Sequence, residues 1–224
     1  MRHARTIAPL VGLLVVVGFL SPAGARVRAA TNQDIFSAGL LTHADVPAAW
    51  TPSKQTDTSG KAYQGVKGCK QLAASIEALR HAAPHKLSPT FTDNSSPHQL
   101  TSAANAVYAF KSSAAAAKLL VGFRIPGATA CLEKVAKKGG GKGTSATATQ
   151  TTNGPASADG FVGYSVTLQG SDQSGATVTA VLDIDVVRVG RSLVGFSFGN
   201  EGTPLSQAPG IVDTVVNRLK AANA

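Results

Sequence analysis

The pentapeptide Gly195-Phe196-Ser197-Phe198-Gly199 has the G-x-S-x-G spacing that can present a nucleophilic serine. That chemistry requires a sharp strand-to-helix turn at the serine and a histidine later in the chain. Val194, Phe196 and Phe198 instead alternate with Ser197, as along an unbroken strand, and the last histidine is His98. The pentapeptide is therefore read as strand, and no catalytic residue is assigned.

Asp183 and Asp185 are a second candidate, two residues apart on one face of a strand. Paired carboxylates perform acid–base work when their surroundings push their pKa values apart. Thr177 and Thr179 share that face, so the reading adopted is a polar face turned to solvent. The histidines His43, His81, His85 and His98 raise the question of a metal. Pro84 separates His81 from His85, and no Cys or Glu stands at a zinc-binding spacing, so they are read as surface residues and no metal or cofactor is assigned.

Lys134, Lys137, Lys138 and Lys142 form the densest run of charge and could hold an anionic polymer or headgroup. No aromatic residue lies between Lys134 and Gly160 to stack on bases, so nucleic acid is not expected. The glycines at 139, 140 and 141 argue for a solvated, irregular tract over 134–143. Gly139 to Thr144 lacks the register of a phosphate-binding loop.

These residues need elements to hold them. Leu72, Ile76 and Leu79 predict a helix over 70–82, ended by Pro84. Lys86 to Gln99 reads as loop, and Val107 to Phe110 as strand. An alanine-rich helix follows over 112–123, then a short helix carrying Cys131, Leu132 and Val135. Strands are expected over 145–152, 161–168, 176–189 and 193–198. A last helix starts near Pro209, with Ile211, Val212, Val215, Val216 and Leu219 as its stripe.

At the Gly190 turn, a two-residue loop would set Asp183 and Asp185 opposite Phe198 and Phe196. A three-residue loop or bulge would set Ile184 and Val186 there and keep the apolar residues together, so it is preferred. The order of elements implies an α+β domain of two layers. An antiparallel β-sheet of about 4–6 strands would carry helices packed on one face, with a C-terminal helix.

Residues 1–29 have the make-up of a signal peptide. Arg2 and Arg5 precede an apolar run from Ile7 to Leu20, and Ala23-Gly24-Ala25 offers a cleavage pattern, with cutting after Ala25 or Ala29. A run of that length is too short for a spanning helix, so a secreted protein that does not span the membrane is expected, with one domain over 30–224. No cysteine follows the run at the cleavage site, so no lipid anchor is expected. The chain carries a formal charge of +9, but four of its 21 basic residues and none of its 12 acidic ones precede Thr31. Residues 31–224 thus hold 17 bases against 12 acids, a net +5 that suits anionic envelope polymers or lipid headgroups. In an exported chain the two cysteines, Cys69 and Cys131, are expected to pair. Closing that loop of about 60 residues is worth roughly 4 kcal/mol by chain entropy.

Several segments together resemble a known family. They are Leu40-Leu41-Thr42 with Asp45-Val46-Pro47 and Trp50, Cys69 opening a helix, and Tyr108 and Phe110 before the alanine-rich helix. Cys131, Val186-Val187-Arg188-Val189-Gly190, Leu193-Val194 and Arg218-Leu219 complete the order. The chain resembles secreted actinobacterial proteins and lipoproteins similar to the extracellular sensor domain of mycobacterial serine/threonine kinases. That resemblance implies a non-enzymatic α+β module that binds a ligand in a groove, and it carries over no ligand-binding residue. The expected function is thus a secreted, non-catalytic, sensor-like module of the bacterial cell envelope, binding a lipid, glycan or other small envelope ligand. The alternatives are a secreted hydrolase with an unrecognised site, or a structural or adhesive envelope protein.

Overall fold

The computed structural model describes residues 30–56, 60–95, 101–171 and 175–223. The expected signal peptide (1–29) and His98 lie outside the described residues. The described chain runs α1 (Asn32–Gly39), β1 (Thr51–Ser53), α2 (Lys70–Ala82), β2 (His85–Leu87), β3 (Thr90–Asp93) and β4 (Thr101–Ala109). It continues α3 (Ser113–Val121), α4 (Ala128–Gly140), β5 (Ser145–Thr151), β6 (Gly160–Ser171), β7 (Thr177–Val189), β8 (Ser192–Glu201) and α5 (Ala208–Asn223).

One antiparallel sheet of eight strands organises the molecule, in the order β1-β3-β4-β8-β7-β6-β5, with β2 also on β4. The α+β class, the antiparallel sheet and the C-terminal helix are as expected from the sequence. The strand number is higher than the expected 4–6, because the segment read as loop after Lys86 pairs with β4 and β1 adds to its outer edge on β3. There β2 and β3 follow one line along β4, interrupted at Ser88-Pro89. Ser88 Oγ accepts the Asn105 N–H at 2.9 Å across that interruption.

Helices cover both faces of the sheet, not one. On the first face α1 and α5 bury Ile35, Phe36, Val212, Val215 and Leu219 against Val107, Val187, Val194, Phe196 and Phe198. On the second, α2, α3 and α4 bury Leu72, Leu120 and Leu132 against Tyr108, Val162, Tyr164, Val186 and Leu193. Adjacent apolar pairs, Val186-Val187 and Leu193-Val194, show why: strands sandwiched on both sides read as apolar runs, not strict alternation. Each such buried aliphatic side chain contributes about 1.5–3 kcal/mol.

Double burial also reverses the expected register at Gly190. The turn has two residues, Gly190 and Arg191, so Val187 pairs with Val194, Asp185 with Phe196 and Asp183 with Phe198. Gly190 takes a φ of 55°, open to glycine, and its N–H donates to Asp159 Oδ2 at 2.6 Å. The bulged alternative keeps the apolar residues on one face, a constraint that disappears once both faces are covered.

The chain ends are tied down by specific contacts. Thr31 and Asp34 cap α1 reciprocally, and Thr42 with Asp45 repeat the arrangement one loop later. Asp45, whose side chain is 3 % exposed, receives Arg218 of α5 at 2.8 and 3.0 Å. Arg218 also donates to the carbonyls of Ala38 and Leu40.

Candidate functional site

The sheet's second face is not filled evenly. One cross-strand row runs Ala104–Ser197–Ile184–Tyr164, and the next runs Ala106–Gly195–Val186–Val162. On β4 and β8 these rows carry only alanine, glycine and serine, so the floor drops where β6 and β7 present bulkier side chains. Helix α2 passes over the depression with Leu72, Ile76 and Leu79 turned towards it. The result is a cleft of about 350 Å³, walled by those three side chains with Tyr63, Leu87, Tyr108, Phe123, Leu132, Leu182 and Ile184. That size and apolar character match small-molecule sites.

Polar groups in the cleft are few. Tyr164 donates its hydroxyl to the Phe123 carbonyl at 2.5 Å. Burial pushes the Tyr63 and Tyr164 phenols above their usual range, which keeps both neutral. Gln55 also lines the cleft, and its Oε1 is buried with no hydrogen-bond partner among the described residues. An amide oxygen left this way is an acceptor that a ligand hydroxyl or N–H would satisfy.

Cys69, the residue before α2, is joined to Cys131 in the first turn of α4 by a disulfide. Leu72 stands three residues after one cysteine and Leu132 directly after the other, so the bond ties two walls of the cleft together. Ser197 lies on the cleft floor, exposed, in the middle of straight strand β8. It makes no elbow, and no described histidine lines the cleft with it.

Asp183 and Asp185 are not on a solvated face. They share the first face with Phe196, Phe198 and Val187, beyond the part that α5 covers, and line a crevice of about 390 Å³. Asp213 and Val212 of α5, Phe161, Ser165 and Pro155 complete its walls. Burial, with the nearby Asp183 charge, pushes the Asp185 carboxyl up to about 6. Gly163 makes room for it: a Cβ there would stand 2.6 Å from Asp185 Oδ1 and 2.5 Å from the Phe161 ring.

The remaining candidates are dispersed. His43 Nε2 is 2.9 Å from the Trp50 carbonyl, His81 Nε2 is 2.8 Å from Glu77 Oε1, and the His85 ring stacks on Tyr108. The 134–143 tract is not irregular throughout, because α4 continues to Gly140 and carries Lys134, Lys137 and Lys138 exposed on its surface. Helical hydrogen bonding continued from 128–133 overrides the cost of the two terminal glycines, about 1 kcal/mol each. Asn105 was not singled out from the sequence. It is buried, accepts the Leu41 N–H at 3.0 Å and donates to the Gly39 carbonyl at 2.7 Å, fixing the chain after α1 to β4. An asparagine inside a run of alanines was its one signal.

No family model matches this sequence, and no curated protein matches it. Among solved structures, the fold is similar to the extracellular domain of PknH from Mycobacterium tuberculosis. The TM-score is 0.52 at 10 % identity, covering 86 % of this chain and 98 % of that one. At that identity the likeness establishes a shared fold.

Proposed function

We propose that this chain is an exported, non-catalytic, sensor-like module that binds a small envelope molecule with a substantial apolar part. Residues 1–29 serve as its signal peptide, cut after Ala25 or Ala29, and residues 30–224 form the working domain. The observation that carries the reading is the cleft between α2 and the alanine-, glycine- and serine-lined floor of β4 and β8. A domain whose only task was structural would gain by filling that space, since each buried methylene is worth about 0.8 kcal/mol. Export is supported by the Cys69–Cys131 disulfide and by the likeness to an extracellular domain. The strand that runs through Ser197 gives it no nucleophile elbow.

Titration with N-phenyl-1-naphthylamine, a neutral apolar fluorophore, tests the cleft. The protein is expected to enhance its emission with saturable, one-site binding. Ser197→Trp places an indole on the exposed floor and is expected to abolish that binding while the fold persists. Unsaturable binding, or equal binding by the variant, would refute a ligand site in this cleft.

A further inference from the structure

Resting on that reading of the cleft, we infer that its ligand is an amphiphile with an anionic headgroup, whose chain occupies the cleft and whose charge is held by Lys67, Lys70 and Lys134. Tyr63 carries the geometry. It walls one end of the apolar cleft and also lines a neighbouring hollow of about 450 Å³, whose other walls include Lys67 and Lys70. Lys134 reaches the same rim from α4, donating from Nζ to the Lys67 carbonyl at 3.2 Å. The disulfide at Cys69 and Cys131 fixes these two segments side by side. One residue therefore separates an apolar cleft from a cluster of ammonium groups.

Among the described residues, nothing nearby neutralises that cluster. No acidic residue occurs from Gly60 to Ser75. Between Gly127 and Gly143 the one acid is Glu133, whose Oε1 accepts the Ala148 N–H of β5 at 3.1 Å. Lys67, Lys70 and Lys134 are exposed and form no ion pair among the described residues. Lys137 and Lys138 extend the positive surface along α4. The acidic crevice at Asp183 and Asp185 lies on the opposite face of the sheet, away from these lysines. A neutral headgroup would gain no charge pairing from these ammonium groups, and a zwitterionic one would gain less than an anionic one because its own cation opposes them. A phosphate or carboxylate would gain charge-assisted hydrogen bonds.

The test displaces N-phenyl-1-naphthylamine from the exported protein with two lysolipids of equal chain length, below their micellar concentrations. Lysophosphatidylglycerol is expected to compete at about tenfold lower concentration than lysophosphatidylcholine in ~10 mM salt, and the gap to narrow at ~0.5 M as charge is screened. The Lys67→Glu/Lys70→Glu variant is expected to lose the preference. Lys111→Glu/Lys118→Glu, the same change in net charge at exposed positions elsewhere, is expected to keep it. Glycerol phosphate without a chain is expected not to compete, and competition at the lipid's concentration would make the ligand a soluble anion and overturn the proposal. If wild type and Ser197→Trp sediment equally with phosphatidylglycerol vesicles, the lysines are a membrane-docking surface and the proposal also fails. Equal competition by the two lysolipids overturns the anionic headgroup while the cleft reading stands. Failure of the fluorophore to bind removes the cleft reading itself.

Discussion

Replacing Asp185 by asparagine should make the protein more stable at neutral pH. The carboxyl sits in a crevice beside Asp183, opposite Phe196, and its folded value of about 6 compares with an ordinary value of 3.8. The folded chain thus holds this proton more tightly than the unfolded chain does. Stability contributed by the protonated form is full below pH 4 and is lost as pH rises towards 6. At 1.36 kcal/mol per pH unit the gap corresponds to about 3 kcal/mol. Water reaches the crevice, so a gain of about 1–3 kcal/mol is expected for Asp185→Asn above pH 7, where the ionised carboxylate bears the full cost. At pH 3.5, with the carboxyl protonated in the folded state and mostly protonated in the unfolded one, wild type and variant should differ little. Urea melts of both proteins across pH 3.5–7.5 measure this, and the difference at each pH isolates Asp185 from the other titrating carboxylates. For a domain of this size the pH 7.5 gain should appear as a rise of ~2–4 °C in Tm per kcal/mol. A variant that is less stable at pH 7.5, or equally displaced at all pH values, would refute the argument. It would show that the Asp185 charge is compensated in the folded state.

Two further outcomes follow from the packing. Arg218→Ala should cost about 2–4 kcal/mol, because it strands the buried Asp45 carboxylate and two carbonyls, with the loss moderated by the partial exposure of the arginine. Arg218→Lys should rescue little of that, since one ammonium cannot reproduce the forked contact, and thermal melts showing full rescue would contradict this account. Replacing both Cys69 and Cys131 by serine should cost about 4 kcal/mol, given a sequence separation of 62, and should weaken fluorophore binding as the α2 and α4 walls loosen. A loss below ~1 kcal/mol with unchanged binding would mean that packing alone holds those walls.

Local chemistry was legible in the sequence where one residue's neighbours decide its state. The 3.6-residue period of Leu72, Ile76 and Leu79 and the stripe from Ile211 to Leu219 identified α2 and α5, since each helix needs one apolar face whatever it packs against. The alternation along β7 placed Asp183 and Asp185 opposite Ile184 and Val186, as a strand's two-residue repeat requires. The unbroken strand through Ser197 was legible for the same reason. What periodicity does not contain is which face meets which layer. The aspartates were expected in water because the other face of β7 was the more apolar, yet α5 descends on their side and leaves them lining a crevice. The register at Gly190 went the same way, since a rule that gathers apolar residues on one face has no force in a sheet covered on both. The cleft is tertiary in origin too. Ala104, Ala106, Gly195 and Ser197 are scattered between 104 and 197, and only the pairing of β4 with β8 sets them side by side beneath α2. An absence of side-chain volume leaves no pattern along the chain, and it becomes a site only when distant small residues share one patch of sheet.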